Sequence, residues 1–378
     1  MKKKKILMFV NVDWFFLSHR LPIAKSASQR NYEFKVFTDF TEDHSEFDHG
    51  KFSFLKSPIT RSSIRPLTLF KELTYSLFLI IEEKPDIIHA VTIKPIVIMG
   101  IVSFILRKPF VASISGLGPA FKPKNLLQKV RLKFILIIYF IIFRLNKTSI
   151  IVQNKDDFKS LLTEKVATKE QIKLIKGSGI ILSDYKKINH AKTPPIKILM
   201  ASRLIKEKGI FEYCSAASDI QIKNDFNVEF FLAGPIESRS KGGISEKEIN
   251  DICSKSKVKY IGNRKDLPNY LGLIDIFVLP SYYPEGVPKV LLEASASGCA
   301  IITTDHPGCR DAIIENISGL LVRPRDAHSL YKKIYKLLIN TNLIEKMANN
   351  GIALAQREFD INLVINDHFD IYKKLHNY

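Results

Sequence analysis

The sequence predicts an α/β chain built from two doubly wound parallel-sheet domains. Three observations carry this. Short aliphatic, β-branched runs alternate with helical patterns in both halves of the chain, which argues for parallel strands joined by helical crossovers. The 378 residues, 46% of them hydrophobic, suffice for two cores. Both halves open on the same four residues, KILM, at Lys5–Met8 and Lys197–Met200, and a polar stretch with two prolines, KKINHAKTPP, separates them. The expected division is a first domain over residues 1–186, a linker over 187–195, a second domain over 196–359 and a closing helix over 360–378 that packs back on the first.

In the first half, the runs from Ile6, Phe34, Phe52, Asp86, Phe110, Ser149 and Ile172 read as strands. Between them, Leu21, Ala24 and Ala27 recur at helical spacing, and helices are expected from Leu67 to Glu83 and from Pro95 to Leu106. The start, MKKKKILMFV, has the charge and apolar run of a signal peptide. The run breaks at Asn11 and Asp13 without a small-residue cleavage site, so a buried first strand is expected. Residues 122–147 hold ten uninterrupted apolar residues, Phe134–Phe143, flanked by Lys129, Arg131, Lys133, Arg144 and Lys147. A bilayer span needs about 20 residues, so this is either a core helix with basic ends or an amphipathic element on a membrane surface. In the second half, strands are expected from Ile196, Val228, Val258, Ile276, Ala300 and Gly319, then helices from Ala327, Leu343 and Asp360.

The net charge of +19 is concentrated in the first half, where residues 1–190 carry 32 Lys/Arg against 16 Asp/Glu. Residues 101–150 hold nine basic side chains and no acidic one. Such a surface faces an anionic partner, either nucleic acid or an anionic membrane. Nucleic-acid binding would call for exposed aromatics among the cations; here aliphatic helices flank them, and the expectation is a membrane contact within residues 67–147. Cys214, Cys253, Cys299 and Cys309 have no metal or redox spacing, which fits a reducing compartment.

The chemistry gathers in the second half. Ile276–Gly298 reads as a strand, a turn-rich loop and a helix opening near Pro288, where a missing N–H costs nothing. Backbone N–H groups over Gly286, Val287, Pro288, Lys289 and Val290 (proline excepted) offer an anion site at a helix start. Glu285 and Glu293 lie on either side of that start. An ordinary strand–loop–helix unit with two surface acids fits the same residues. Arg203 and Lys208 follow another strand end, where an Arg fork and a Lys point charge suit a diphosphate. Gly234 marks a tight turn, Gly262, Asn263 and Arg264 follow a further strand, and Thr303–Gly308 another. In open α/β sheets such carboxyl-end loops converge on one crevice.

The run PSYYPEGVPKVLLEASASGCAIITTDHPGCRDAI…GLLV resembles the donor-binding domain of family-4 retaining glycosyltransferases of the GT-B fold, and the resemblance extends over essentially the whole chain. By that resemblance, Glu285 faces the donor sugar, Glu293 binds the ribose hydroxyls, and Arg203 and Lys208 hold the donor diphosphate. The first half, with VDWFFLSHRLPIA, PDIIHAVTIKP and SISGLG, resembles the branch that extends saccharides on polyprenyl-diphosphate carriers for O-antigen, capsule or protein glycosylation. His19, Arg20, His89, Thr92, Lys94, Gly116 and Gly118 are the expected acceptor-binding residues. Where many relatives carry a histidine, this chain reads Ser113-Ile114-Ser115-Gly116.

The implied reaction is transfer of a hexose or N-acetylhexosamine from a UDP-sugar to an undecaprenyl-diphosphate-linked saccharide, at the cytoplasmic face of an anionic inner membrane. No Asp-x-Asp occurs in the chain, so no metal and no cofactor are expected. The competing readings are a nucleotide-sugar epimerase on the same fold, a nucleic-acid-binding protein and a non-catalytic scaffold.

Overall fold

The computed structural model describes residues 3–41, 52–60, 65–118, 121, 123, 125–144, 146–187, 194–223, 226–238, 240 and 242–376. The chain divides into two compact units, one of Met1–Ser178 with Ile361–Tyr378 and the other of Gly179–Asp360. The division thus falls earlier than the expected linker at 187–195, of which residues 188–193 lie outside the described set. The reason is local. Gly177 and Gly179 take left-handed φ values of 72° and 73°, which a side chain disfavours, and Ile180 N–H then donates to Phe359 O at 2.9 Å, so Ile180 already belongs to the second unit.

The first unit runs β1 (Lys4–Val10), α1 (Asp13–His19), α2 (Leu21–Ala27), β2 (Tyr32–Thr38), β3 (Ser53–Lys56), α3 (Pro66–Glu83), β4 (Ile87–Val91), α4 (Ile93–Ile105), β5 (Phe110–Ile114), α5 (Leu126–Arg144), β6 (Thr148–Val152), α6 (Lys155–Thr163) and β7 (Ile172–Leu174). All seven strands are parallel, in the order β3-β2-β1-β4-β5-β6-β7. Alternation along β1 splits the core. Leu7 and Phe9 face the side of the sheet that packs against α3, α4 and α5, while Ile6, Met8 and Val10 face the opposite side. Two helices, α1 and α2, stand where one is expected from Leu17 to Ser28. Pro22 lies in the first turn of α2, and Arg20 leaves helical geometry at φ −130°, so the chain turns there.

The second unit runs β8 (Ile196–Ala201), α7 (Ile210–Lys223), β9 (Val228–Ala233), α8 (Glu246–Lys255), β10 (Val258–Tyr260), α9 (Leu267–Leu271), β11 (Ile276–Leu279), α10 (Lys289–Ala296), β12 (Ala300–Thr304), β13 (Gly319–Val322), α11 (Ala327–Leu338) and α12 (Thr341–Glu358). Its six parallel strands are ordered β10-β9-β8-β11-β12-β13, so the direction of winding reverses between β8 and β11. The last helix, α13 (Ile361–His376), belongs to the first unit and buries Val364, Phe369 and Tyr372 in the core that holds Ile6, Met8 and Val10. Arg30 fastens it from α2's end, donating to Asn366 Oδ1 at 2.6 Å with its guanidinium 4.9 Å from the Phe369 ring centre.

The helix expected within residues 122–147 is α5. Its apolar residues divide between two sides: Tyr139, Ile142 and Phe143 are buried, while Leu126, Leu127, Val130, Phe134, Ile137, Phe140 and Ile141 are exposed. Among the described residues, no helix is long and apolar enough to cross a membrane.

Candidate active site

At the carboxyl ends of β8, β9 and β11, beside the reversal point of the second sheet, lies a cleft of about 220 Å³. Arg203, Lys208, Gly234, Arg264, Glu285 and Glu293 line it, together with Pro288, Lys289 and Val290. Gly286 and Val287 form the strand-to-helix loop beneath, with Val287 buried in the core. Two close approaches shape this floor. A Cβ on Gly234 would lie 1.7 Å from Ser202 O, and one on Gly308 would lie 2.1 Å from Gly286 O; both glycines have left-handed φ, 137° and 83°. No other residue fits either position.

Lys208 is 6% exposed and forms an ion pair with Glu285. Ser281 also donates to Glu285, Oγ to Oε1, at 3.4 Å. Arg203 reaches Glu237 Oε2 at 3.4 Å through Nη1. The Tyr283 ring centre lies 5.6 Å from both the Arg203 guanidinium and the Lys208 ammonium, so one aromatic face serves both cations. Both cations line the cleft with a carboxylate partner beside each, Glu285 for Lys208 and Glu237 for Arg203, where an incoming polyanion can compete for them.

Glu293 projects from the second turn of α10. Its Oε1 accepts a hydrogen bond from Tyr185 OH at 2.9 Å and lies 3.4 Å from Lys289 Nζ, one turn back. Burial, reinforced by the Glu293 charge, raises the Tyr185 pKa far above its ordinary value, so the phenol remains a donor. Arg264 is held by Asp266, at 2.8 Å from Nε, and stacks 4.9 Å over the Tyr270 ring. The nine cleft-lining residues named above are therefore gathered by the segments that follow β8, β9, β10 and β11 and by the start of α10. Sequence reading missed Tyr185, Tyr283, Ser281 and Glu237. Ser281 and Tyr283 lie within the PSYYPEG run, whereas Tyr185 belongs to the second unit, which begins at Gly179, ahead of the expected linker.

The expected acceptor residues occupy the first unit in quite different states. His89 is fully buried in β4, with Nδ1 2.7 Å from Tyr372 OH and Nε2 2.7 Å from Ser113 Oγ. Burial, with His368 and Arg20 nearby, depresses its pKa well below the usual value and keeps it neutral. Arg20 is 1% exposed, and burial lowers its pKa to about 10. Both side chains are buried, because β4 runs on to Val91 and α13 packs over them. Lys94 is held by Glu72, a nearly buried carboxylate, at 2.8 Å, and by Thr60 O at 2.8 Å. It fastens α4 to α3 rather than presenting a free charge. His19 closes α1 with its ring stacked 4.3 Å from that of Phe15. Thr92 takes φ 73° at the start of α4, and Gly116 and Gly118 take φ 112° and 67° beyond β5. These last three lie past the carboxyl ends of neighbouring strands.

Comparison with known proteins places this geometry. Residues 183–354 match the family model for glycosyl transferases group 1, and residues 5–154 match the model for glycosyl transferase 4-like proteins. The N,N'-diacetylbacillosaminyl-diphospho-undecaprenol alpha-1,3-N-acetylgalactosaminyltransferase of Campylobacter jejuni is 26% identical over 384 aligned positions, covering 95% of this chain and 98% of the relative. Sucrose-phosphate synthase from Thermosynechococcus elongatus superposes with a TM-score of 0.79 at 19% identity, over 99% of both chains. Anabaena HepE, solved with UDP and glucose, superposes with a TM-score of 0.74 at 19% identity, over 99% of this chain and 100% of its own. With two parallel-sheet units of the GT-B kind and matches to both family models, the chain belongs to the family-4 glycosyltransferases.

Proposed function

We propose that this glycosyltransferase moves a hexose or N-acetylhexosamine from a UDP-sugar to an undecaprenyl-diphosphate-linked saccharide during bacterial surface polysaccharide or glycan assembly. The observation that carries the donor half is the cleft holding Arg203 and Lys208 beside Glu285, with Glu293 lining it one helix turn beyond Lys289 on α10. A nucleoside diphosphate fits this arrangement. The diphosphate lies against Arg203 and Lys208 at the start of α10, the ribose hydroxyls reach Glu293, and the sugar meets Glu285. The acceptor half rests on similarity to the Campylobacter jejuni enzyme, whose name specifies a diphospho-undecaprenol saccharide, and on the basic, apolar character of the first unit.

In this reading the two cations stabilise charge as it develops on the departing diphosphate, without a metal ion. They are fixed before reaction, so little reorganisation opposes bond breaking. The Lys208–Glu285 pair keeps the ammonium positioned until the donor arrives and then leaves Glu285 to the sugar hydroxyls. Anomeric configuration is retained, with attack on the same face as the departing phosphate and the phosphate oxygen taking the acceptor proton. The enzyme works at the cytoplasmic face of the membrane, where its lipid-linked acceptor is found.

Screening UDP- and GDP-sugars against a synthetic polyprenyl-diphosphate saccharide, with the product linkage read by NMR, tests this. A UDP-sugar giving a product of retained configuration is the expected result. A sugar interconverted without any acceptor, or an inverted product, overturns it.

A further inference from the structure

We propose that the outer faces of α3 and α5 form one surface that docks on an anionic lipid bilayer, with their apolar side chains among the upper acyl chains and the neighbouring lysines and arginines at the phosphates. The inference deepens the lipid-linked reading above and rests on it for the identity of the partner.

Both helices are apolar on two sides. Inwardly, α3 packs Leu69, Leu73, Leu77 and Ile80 against the core, and α5 packs Tyr139, Ile142 and Phe143. Outwardly, α3 exposes Leu67, Phe70, Tyr75, Phe78 and Ile81, with Phe78 71% exposed. On α5, Leu126, Val130, Phe134, Ile137 and Ile141 recur every three or four residues along one outer stripe, with Leu126 77% exposed. Both helices flank α4 on the same side of the sheet, so the two stripes belong to one face of the unit. Scattered exposed apolar side chains are ordinary; ten of them in stripes on two helices of the same side of the sheet mark a binding surface.

Charge decides the occupant. Lys129, Arg131, Lys133 and Arg144 accompany the α5 stripe, and Lys71 accompanies that of α3. Glu72 and Glu83 on α3 are tied to Lys94 and to Lys5 and Lys35, which leaves Glu82 as the exposed acid of that helix. At the carboxyl ends of α4 and α5, Arg107, Arg144 and Lys147 surround a recess of about 720 Å³ beside Phe104 and Ile105, again joining cations to apolar side chains. A second copy of the chain docked symmetrically here would set these cations against their own images. A bilayer with phosphate headgroups over hydrocarbon satisfies both components at the depth each requires. The chain would rest on the membrane, since neither helix is of the kind that crosses one.

Flotation of the full chain with vesicles tests this, using phosphatidylglycerol with phosphatidylethanolamine, or phosphatidylcholine alone, in about 0.1 M salt, where charges are screened beyond about 10 Å. The chain is expected to float with the anionic vesicles and at least tenfold less with the neutral ones. Replacing Phe70, Phe78, Phe134 and Ile137 together by serine is expected to weaken binding more than tenfold. Replacing Lys129, Arg131 and Lys133 by alanine is expected to cost about fivefold per cation on anionic vesicles only. Unchanged melting and UDP affinity in both variants show that the fold survives. Failure of the wild type to float, variants that float like the wild type, or a dimer in sedimentation that only the serine variant abolishes would each overturn the proposal. Transfer to a short-chain, water-soluble acceptor without flotation sinks this inference alone; flotation without transfer from any UDP-sugar sinks the functional reading alone.

Discussion

Glu285 and Lys208 share one salt bridge inside the cleft, and Arg203 leans on the more distant Glu237. An ion pair of this kind contributes little as a stabilising device, because desolvating both groups offsets most of their attraction. Its consequence is positional. The ammonium is fixed at one site and released to a stronger polyanion. Arg203→Ala or Lys208→Ala is therefore expected to lower kcat about 100-fold, the scale of losing one preorganised charge-stabilising donor, as read in steady-state assays at saturating donor. Glu293→Ala is expected instead to weaken UDP binding about tenfold, measured by calorimetry, since the proposed reading gives Glu293 the hydrogen bonds to the ribose. Tyr185→Phe removes the donor that orients Glu293. It is expected to lower stability by about 1–2 kcal/mol, the cost of a part-buried carboxylate losing a partner, with kcat changed less than threefold. At Gly234, a methyl group meets Ser202 O at 1.7 Å. Gly234→Ala is expected to destabilise by about 2–4 kcal/mol, seen in urea denaturation.

Helix α13 shows how an element can decide what a residue does. It covers β4 and closes a buried polar cluster of Arg20, His89, His368 and Tyr372. His368 donates from Nδ1 to Val364 O at 2.7 Å, and burial, together with Arg20, lowers its pKa to about 3. His89 is lowered in the same direction for the same first cause. Facing this pair from other elements are Arg20 between α1 and α2, Tyr32 on β2 and Ser113 on β5. Because both histidines titrate lower in the folded chain than in the unfolded one, the unfolded chain takes up protons first as pH falls. Stability is therefore fully present above about pH 6.5 and declines below it, by about 1.4 kcal/mol per pH unit for each histidine. For His368 the decline continues to about pH 3. Urea denaturation at stepped pH is expected to show this slope, and His368→Gln to remove about half of it. Helices α3 and α5 make the complementary point. Their inward side chains are ordinary core, and the same helices carry the outward stripes that the membrane proposal uses.

At the scale of the whole chain, donor chemistry lies within one unit. Every lining residue of the cleft falls between Gly179 and Asp360. A fragment of residues 179–360 is expected to fold and bind UDP within about tenfold of the full chain's affinity, while showing no transfer; calorimetry and the acceptor assay read the two separately. Turnover of the full chain is expected to survive excess EDTA with less than a twofold loss, because in the proposed reading protein cations rather than a metal meet the diphosphate. Loss of activity that Mn²⁺ restores would refute that assignment. The charge of the chain is divided as unevenly as its chemistry. Met1–Ser178 with Ile361–Tyr378 carries 32 Lys/Arg against 17 Asp/Glu, a balance of +15, and Gly179–Asp360 carries 25 against 21, a balance of +4.

Local signals determined a great deal by themselves. Strands such as Ile196–Ala201, Val228–Ala233, Ile276–Leu279 and Gly319–Val322 were legible because strands of a parallel sheet, buried on both faces, read as short unbroken apolar runs between turn residues. The start of α10 was legible from Pro288, and the convergence of Arg203, Lys208, Glu285 and Glu293 on one cleft from their places after strand ends and at a helix start, which fix where those side chains emerge. Tertiary structure alone decided the rest. It turned His89 and Arg20 inward, since no pattern within β4 or α1 announces that a helix from the far end of the chain will cover them. It brought Tyr185 to Glu293 across 108 residues of sequence and set Tyr283 beneath two cations. It also divided the apolar residues of α5 between core and surface. Hydrophobicity says that a side chain seeks burial, whereas which side of a helix finds a partner depends on what the fold packs against it.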